Sequence, residues 1–260
     1  LTVKPGGQED EKEDFKWGIS RFIDEARNLA RFDHPAIIKV QRFFEENGTA
    51  YLVMDYCEGD PLDKLLKGNK TLTQEQTNKI LYPLLSALEE IHNANLVHRD
   101  IKPSNIYLKE DGSPVLLDFG AARSELMGHS RSITSLATPG YGAYEQYTTR
   151  GKQGPWTDIY GLGATLYKAT CGRKAPDAPD RMLEDALEPP GIILGKFFDK
   201  KFSDMLAACL KVRAKDRPQS IQEVREILQE NVISEPRTEK KSSKKEPSVK
   251  KKKEIKSSPA

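Results

Sequence analysis

The chain has 260 residues, of which 37% are apolar, and this is enough for one large domain or two small lobes with a buried core. The formal charge of +2 hides an asymmetry: residues 237–260 contain ten Lys and Arg against three Glu, a net +7, and the rest of the chain carries a net −5. Three widely spaced cysteines without a C-x-x-C pair argue against a disulfide framework or a zinc site, and no apolar run reaches the roughly 18 residues that a membrane-spanning helix requires. We therefore expect a soluble protein from a reducing compartment.

The first ordered segment is predicted to begin near Phe15. The residues before it include a Gly-Gly pair and an acidic cluster, which predict a solvated loop. Apolar residues then recur at three- and four-residue steps from Ser20 to Phe32, which predicts an amphipathic helix with Ser20 as its N-cap. The stretch 36–56 contains two β-rich segments joined by an Asn-Gly dipeptide, which is typical of a two-residue hairpin turn.

The remainder of the chain is predicted to be mostly helical. Residues 73–93 fit one long helix, and residues 97–117 fit short strands around a polar loop, with a second turn at Asp111. After Asp158 the pattern is helical to about Asn231, with breaks where Gly and Pro cluster. A small mixed segment is thus followed by a larger helical one, which predicts an α+β fold.

Four polar residues in "HRDIKPSN" and "DFG" form a candidate catalytic group. Asp100 offers an acceptor for a hydroxyl proton, and Lys102 offers a cation for a phosphate group. Asn105 and Asp118 offer oxygen ligands of the kind that Mg²⁺ prefers. A single Asp or His in such a loop is more often a capping or turn residue, but the spacing H-R-D-x-K-x-x-N, with D-F-G thirteen residues after the Asn, favours phosphoryl transfer.

These motifs resemble the catalytic loop and the metal-binding triplet of the eukaryotic-type protein kinases, in their serine/threonine branch. "ATPGYGAYE" at 137–145 resembles the substrate-facing P+1 loop and the end of the activation segment, and "TDIYGLG" at 157–163 resembles the start of the central helix. Residues 21–40 are similar to the regulatory helix and its following segment. The resemblance covers about Ser20 to Ser234 and is nearest to bacterial serine/threonine kinases.

The resemblance implies a two-lobed kinase fold with an incomplete small lobe, and it implies roles for individual residues. Asp100 and Lys102 are the implied catalytic residues, the first orienting the hydroxyl proton and the second steadying the γ-phosphate of ATP. Asn105 and Asp118 are the implied Mg²⁺ ligands. Contacts to ATP are implied for Glu25, for Met54 as gatekeeper, for Asp55 and Tyr56 in the hinge, and for Lys102, Asn105, Tyr107 and Asp118.

Two further structural roles follow from the resemblance. Glu145 and Arg217 are expected to form a buried ion pair. Asp158 is expected to anchor the backbone of the catalytic loop, although its position alone also fits a helix N-cap.

The implied domain limits are 1–234 for the kinase domain, divided into a partial small lobe at 1–56 and a large lobe at 57–234. Residues 235–260 have almost no aromatic or branched side chains and are predicted to be a disordered basic tail. The tail is either a plain solvated linker or a segment that makes weak, salt-sensitive contacts with anionic surfaces, and no specific nucleic-acid binding is expected. A cytoplasmic location is expected, with a membrane anchor beyond the tail of the parent protein as an open alternative.

The implied activity is transfer of the ATP γ-phosphate to Ser or Thr hydroxyls of proteins. Arg99 beside the catalytic Asp implies regulation by phosphorylation of the activation segment. The candidate autophosphorylation sites are Ser132, Thr134, Ser135 and Thr138.

The sequence departs from the family pattern at its start. No G-x-G-x-x-G occurs before Glu25, and Lys4 in "LTVK" is followed at once by Pro-Gly-Gly. The lysine that pairs with Glu25 is therefore expected upstream of Leu1, and residues 1–260 alone are expected to transfer phosphate poorly unless Lys4 takes that place. Tyr144 stands where the family usually has proline.

Alternative interpretations remain for three single residues and for the chain as a whole. Glu25 is alternatively a solvated residue on its helix, His98 a packed histidine bonded to backbone, and Met54 a core residue. For the chain as a whole, the alternative is a truncated or pseudokinase-like scaffold that binds partners without turnover.

Overall fold

The structure, a computed structural model, describes residues 9–117 and 137–229, all within the unit Leu1–Glu230. In these ranges the chain forms eight α-helices, five β-strands and several short 3₁₀ turns. The helices are α1 (Glu9–Leu29), α2 (Leu62–Leu65), α3 (Gln74–Asn93), α4 (Pro155–Cys171), α5 (Ala178–Leu183), α6 (Pro190–Leu194), α7 (Lys200–Cys209) and α8 (Ile221–Gln229). The strands are β1 (Val40–Glu46), β2 (Thr49–Met54), β3 (Gly59–Pro61), β4 (Ile106–Lys109) and β5 (Pro114–Leu116).

Helix α1 begins at Glu9, so the predicted solvated loop is wrong for residues 9–14, and the predicted N-cap at Ser20 is wrong; residues 1–8 lie outside the described ranges. Residues 9–14 contain no Gly or Pro and are rich in carboxylates, which are favourable in the first turn of a helix because they oppose its dipole. The apolar face of the helix lies where the periodicity predicted it. Ile23, Ala26 and Leu29 are buried there at three-residue steps.

The β1–β2 hairpin is confirmed. Its strands pair antiparallel up to Glu46 and Thr49, and the two residues between them both have positive φ, 55° at Asn47 and 74° at Gly48. This is the type I′ turn that an Asn-Gly dipeptide favours, because both residues adopt the left-handed region at low cost.

A second sheet has the order β3-β4-β5, with antiparallel pairing throughout. The β4–β5 turn contains the predicted turn residue Asp111, whose Oδ1 accepts a hydrogen bond from the Ser113 amide at 2.8 Å. The segment after α1 joins this sheet, because Ile38 N donates to Leu116 O at 3.0 Å and Leu116 N donates to Ala36 O at 2.8 Å.

Helices α3 and α4 contribute more residues to the buried core than any other described element. Thr73 and Gln76 form a reciprocal capping box at the start of α3, which fixes the predicted beginning of that helix. In α4 every residue from Thr157 to Thr170 except Lys168 is buried. A helix buried on all sides is a rigid support. One of its residues, Asp158, holds the loop described in the next subsection. Among the described residues, no helix is both long and apolar enough to cross a bilayer.

The Gly- and Pro-rich stretches near residues 172–180 and 188–191 were predicted as breaks between helices. They do separate longer elements, but the short helices α5 and α6 begin inside them. Each of these helices has a proline in its first turn, where the missing amide hydrogen costs nothing.

Candidate active site

The loop His98–Asn105 lies between α3 and β4, and a buried carboxylate on α4 holds its backbone. Asp158, which is 1% exposed, accepts hydrogen bonds from the amides of His98 at 2.8 Å and Arg99 at 2.7 Å. Its Oδ2 also lies 2.8 Å from Nε2 of His92 on α3. The expected anchoring role of Asp158 is confirmed, whereas the N-cap alternative is wrong because α4 is capped by Gly154.

A second contact fixes the loop at Arg99. Arg99 has a φ of 71°, a left-handed conformation that is uncommon for a residue with a side chain. Its carbonyl oxygen accepts a hydrogen bond from Nε2 of Gln146 at 2.7 Å. Nothing in the sequence pointed to Gln146, because the contact spans 47 residues. The loop conformation is thus held by contacts at two successive residues rather than by its own preference.

His98 is fully buried and bonded to backbone, as its alternative interpretation proposed. Its Nε2 lies 3.0 Å from the carbonyl oxygen of Leu117, and its Nδ1 accepts from the Asp100 amide at 3.3 Å. The Leu117 amide in turn donates to Asn105 O at 2.8 Å. These bonds tie both ends of the loop to the residue that directly precedes Asp118.

Three of the predicted site residues meet at one carboxylate. Lys102 Nζ donates to Asp100 Oδ2 at 2.6 Å, and Asn105 Nδ2 donates to the same oxygen at 2.9 Å. Asn105 Nδ2 also lies 2.9 Å from the Asp100 carbonyl oxygen, which fixes the amide orientation. The side chains of Lys102 and Asp100 are 12% and 14% exposed, so this group is only partly shielded from water.

The other oxygen of Asp100 bonds a hydroxyl group. Thr138 Oγ1 donates to Asp100 Oδ1 at 3.1 Å and accepts from Lys102 Nζ at 3.1 Å. The sequence suggested Thr138 only as a phosphorylation candidate, so this contact was missed. It shows that the Asp100 carboxylate is oriented to accept a hydrogen bond from a hydroxyl group.

The donor set at this loop fits a divalent cation bound together with nucleotide phosphates. The amide nitrogen of Asn105 is used in the bonds to Asp100, which leaves its oxygen as the hard ligand that Mg²⁺ requires. Within residues 9–117 and 137–229, no three His, Cys, Asp or Glu side chains are grouped so as to hold a metal by themselves. Such a site therefore needs additional oxygen ligands, as is usual where Mg²⁺ is bound through phosphates.

The residues predicted to contact ATP from the smaller segment lie on α1, β2, the segment after it and β4. Glu25 is 8% exposed, so the alternative that it is a solvated helix residue is wrong. Met54 is 43% exposed, so the alternative that it is a core residue is also wrong. The Asp55 amide donates to Lys39 O at 2.9 Å, and Tyr56 is 88% exposed. Tyr107 pairs with Val115 in the second sheet. Their roles toward ATP stay predictions.

Several predicted residues lie outside the described ranges. They are Lys4, Asp118, the candidate phosphorylation sites Ser132, Thr134 and Ser135, and the basic tail.

The expected ion pair is confirmed. Arg217 Nη2 lies 2.5 Å from Glu145 Oε2, and both residues are at most 5% exposed. Thr157 donates to the other oxygen of Glu145 at 2.9 Å, and Arg217 Nη1 donates to Trp156 O at 2.8 Å. Glu145 and Arg217 are thus bonded to each other and to residues at the start of α4.

A model of the protein kinase domain matches residues 3–233. The chain belongs to the protein kinase domain family. The kinase domain is 34% identical over 208 residues to the serine/threonine-protein kinase PknA of Nostoc sp., a match that covers 75% of this chain and 35% of that protein. It is 36% identical over 182 residues to the serine/threonine-protein kinase PknA of Mycobacterium tuberculosis, covering 66% and 42% of the two chains. The matches thus span less than half the length of these relatives.

The kinase domain also resembles a solved structure described as "PpkA-294 apo form". The two share 38% identity and superpose with a TM-score of 0.77, and the match covers 85% of this chain and 78% of that one. The predicted α+β kinase fold and the bacterial character of the resemblance are therefore confirmed.

Proposed function

We propose that this kinase domain transfers the γ-phosphoryl group of ATP to serine or threonine hydroxyls of proteins. The observation that carries the proposal is the group around Asp100, where one carboxylate oxygen bonds Lys102 and Asn105 and the other bonds a threonine hydroxyl at 3.1 Å. Phosphoryl transfer depends on positioning and charge stabilisation more than on covalent chemistry, and this group is fixed by contacts to α4.

Each residue of the group has a role that its contacts suggest. Asp100 Oδ1 accepts the proton of the substrate hydroxyl, in the place where it now accepts a hydrogen bond from Thr138. The Lys102 ammonium, 2.6 Å from Asp100 Oδ2, is close enough to the reacting hydroxyl to stabilise negative charge on the transferred group.

Asn105 and Asp118 are the residues that would hold Mg²⁺. A bound Mg²⁺–ATP complex would supply the phosphoryl group and the charge neutralisation of its phosphates. The Asn105 side chain is held by Asp100, so loss of either residue should disturb both the base and the cation ligand.

The relatives support protein substrates with Ser or Thr acceptors, since both PknA proteins are named serine/threonine-protein kinases. Autophosphorylation is proposed at Ser132, Thr134 or Ser135, which belong to the segment before the Thr138 loop in sequence. Thr138 is a weaker candidate in the described arrangement, because its hydroxyl is engaged by Asp100 and Lys102. The lysine-rich tail is proposed to contact anionic surfaces weakly.

The test is transfer of labelled phosphate from ATP, with Mg²⁺, to a generic protein substrate and to the protein itself. Asp100→Asn removes the proton acceptor and should lower the rate by about a hundredfold or more. Asp111→Asn is the matched control, since Asp111 is an exposed turn carboxylate that accepts hydrogen bonds from Ser113.

Asp118→Ala should abolish transfer and its Mg²⁺ dependence, because it removes a cation ligand. Transfer by Asp100→Asn or Asp118→Ala within a few-fold of wild type would refute the assignment.

A further inference from the structure

Both polar atoms of the Gln146 side chain are bonded to backbone. Oε1 accepts a hydrogen bond from the Ala143 amide at 2.9 Å, and Nε2 donates to the carbonyl oxygen of Arg99 at 2.7 Å. The residue is only 9% exposed, so water does not readily replace these bonds. An ionised carboxylate of the same length could accept the first bond but could not donate the second.

The bond to Arg99 holds the peptide group that leads into Asp100. The Arg99 amide donates to Asp158 Oδ1 at 2.7 Å and the Arg99 carbonyl accepts from Gln146, so different partners hold its two peptide groups. Because a peptide group is planar, the second bond also sets the direction of the Asp100 amide, which donates to His98 Nδ1 at 3.3 Å. Gln146 therefore fixes the peptide group next to Asp100, whereas Asp158 bonds the one before it.

The hydroxyl group that bonds Asp100 is tied to the same glutamine. Thr138 Oγ1 donates to Asp100 Oδ1 at 3.1 Å, and the Thr138 carbonyl oxygen accepts two amides of its own turn at 3.0 and 2.9 Å. The amide after this turn belongs to Ala143, which donates to Gln146. A closed path of bonds thus runs from the Asp100 carboxylate through the turn and Gln146 to the carbonyl group just before Asp100. It fixes the carboxylate relative to the hydroxyl group whose hydrogen bond it accepts.

The buried ion pair beside Gln146 is bonded through other groups. Glu145 bonds Arg217 at 2.5 Å and Thr157 at 2.9 Å. A substitution of similar shape at Gln146 should therefore leave this pair, and with it the fold of the kinase domain, in place. Its consequences should appear in the direction of Asp100 rather than in global stability.

We propose that Gln146 is a positioning residue for the phosphoryl transfer, because its amide fixes the direction of the Asp100 carboxylate relative to an incoming hydroxyl group. This inference rests on the proposed function, since it concerns the residue proposed there as the proton acceptor. Misplacement of a reacting group by about 1 Å can lower a rate about a hundredfold, so loss of the bond to Arg99 should lower kcat by about ten- to a hundredfold. The KM for ATP should change by less than about twofold, because neither Ala143 nor Arg99 is predicted to contact ATP.

Gln146→Glu and Gln146→Met separate the two bonds. Met has a similar length and removes both. Glu keeps the acceptor for the Ala143 amide, but its ionised form places an oxygen against the Arg99 carbonyl oxygen, and only its protonated form can donate there. Burial raises the pKa of a glutamate, so protonation is within reach between about pH 8.5 and pH 6. Lowering the pH should therefore restore the bond in Gln146→Glu and not in Gln146→Met.

The charged groups around this position balance in number. They are Asp100, Asp158 and Glu145 against Arg99, Lys102 and Arg217. Burial rather than net charge should therefore dominate the pKa of a glutamate at residue 146. His92 and His98 are also titratable, but they are present in every variant, so their effect cancels when each kcat is divided by the wild-type value at the same pH.

Two measurements test the inference. The kcat of Gln146→Met should stay about ten- to a hundredfold below wild type at every pH, and the ratio for Gln146→Glu should rise at least about fivefold from pH 8.5 to pH 6. Independently of turnover, hydrogen exchange of the Asp100 amide should accelerate about tenfold in Gln146→Met, while the Arg99 amide, which Asp158 bonds, keeps its protection.

Gln74→Glu is the matched control at the start of α3. Gln74 Oε1 also accepts a backbone amide, from Asp199 at 3.0 Å, and its Nε2 donates to Asn78 Oδ1 at 3.1 Å. This variant should keep the wild-type kcat at both pH values. Equal melting temperatures establish that the three variants are folded.

Four results would overturn the inference: wild-type kcat in Gln146→Met, a ratio for Gln146→Glu that does not rise at low pH, the same rise in Gln74→Glu, or unchanged exchange of the Asp100 amide. Absence of phosphate transfer by the wild-type protein would instead count against the proposed function. Exchange of the Asp100 amide would then decide whether Gln146 positions Asp100.

Discussion

The loop His98–Asn105, which we propose as the catalytic loop, and the β1–β2 hairpin are held in opposite ways. The loop depends on buried polar contacts, because His98 is 0% exposed and the Asp158 carboxylate under it is 1% exposed. The hairpin depends on its own turn and on partly exposed side chains, with Tyr51 at 38% and Met54 at 43% exposure. The geometry of the proposed catalytic loop therefore comes from the helical core, whereas the hairpin geometry is local.

The two regions have few described links. One end of the hairpin approaches the second sheet through the segment that precedes β1. The described cation–π contact of Phe43 in β1 is made to Arg27 of α1, not to the loop. Changes in the core should therefore disturb the catalytic loop, and changes in the hairpin should stay in the hairpin.

Loss of the buried ion pair should have the largest effect. Arg217→Ala leaves the Glu145 carboxylate buried and without its cation, which typically lowers the free energy of unfolding by about 3–5 kcal/mol. Urea unfolding measures this change, and activity should fall with it. Arg213→Ala, an exposed arginine nearby in sequence, should change stability by less than about 0.5 kcal/mol. Equal stability of Arg217→Ala and Arg213→Ala would show that the pair does not support the core.

A smaller effect is expected when the anchor of the catalytic loop is weakened. Asp158→Asn replaces one acceptor oxygen by a donor, so one of the buried amides of His98 and Arg99 loses its partner. An unsatisfied buried group costs about 1–3 kcal/mol, and the rate of phosphate transfer should fall at the same time. Asp204→Asn on α7, which breaks only an exposed pair with Lys200, is the control. Full activity in Asp158→Asn would contradict the anchoring role.

The smallest effect is expected in the hairpin turn. Gly48→Ala places a Cβ on a residue with a φ of 74°, which costs about 1 kcal/mol locally. Hydrogen exchange of the β1–β2 amides should accelerate, while phosphate transfer and the exchange of the catalytic loop stay the same. Gly191→Ala in α6, where φ is ordinary and the nearest atom is 4.0 Å away, is the control. A loss of catalytic-loop protection in Gly48→Ala would mean that the two regions are coupled.

Features that depend on residues close together in the chain could be predicted from the sequence. The Asn-Gly dipeptide predicted the hairpin turn, and the spacing of Asp100, Lys102 and Asn105 predicted that these side chains meet. The start of α1 was mispredicted because the acidic cluster before Phe15 was interpreted as a solvated loop, although carboxylates also favour a helix N-terminus.

Contacts between distant residues were predictable only where the family pattern supplied them. The pair of Glu145 and Arg217 spans 72 residues and was expected from the resemblance alone. The bonds from Gln146 to Arg99 and from Thr138 to Asp100 had no such pattern behind them, because neither residue type nor spacing marks a partner 47 or 38 residues away. Tertiary packing, rather than local propensity, determines these contacts.

Hydrogen exchange of the His98 and Arg99 amides tests most directly the claim that α4 holds the catalytic loop independently of the hairpin. We predict that these amides exchange at least about tenfold more slowly than the β2 amides, that Asp158→Asn removes this protection, and that Gly48→Ala leaves it intact. Exchange of His98 and Arg99 at the rate of the β2 amides in the wild-type protein, or acceleration by the same factor in both variants, would contradict the claim.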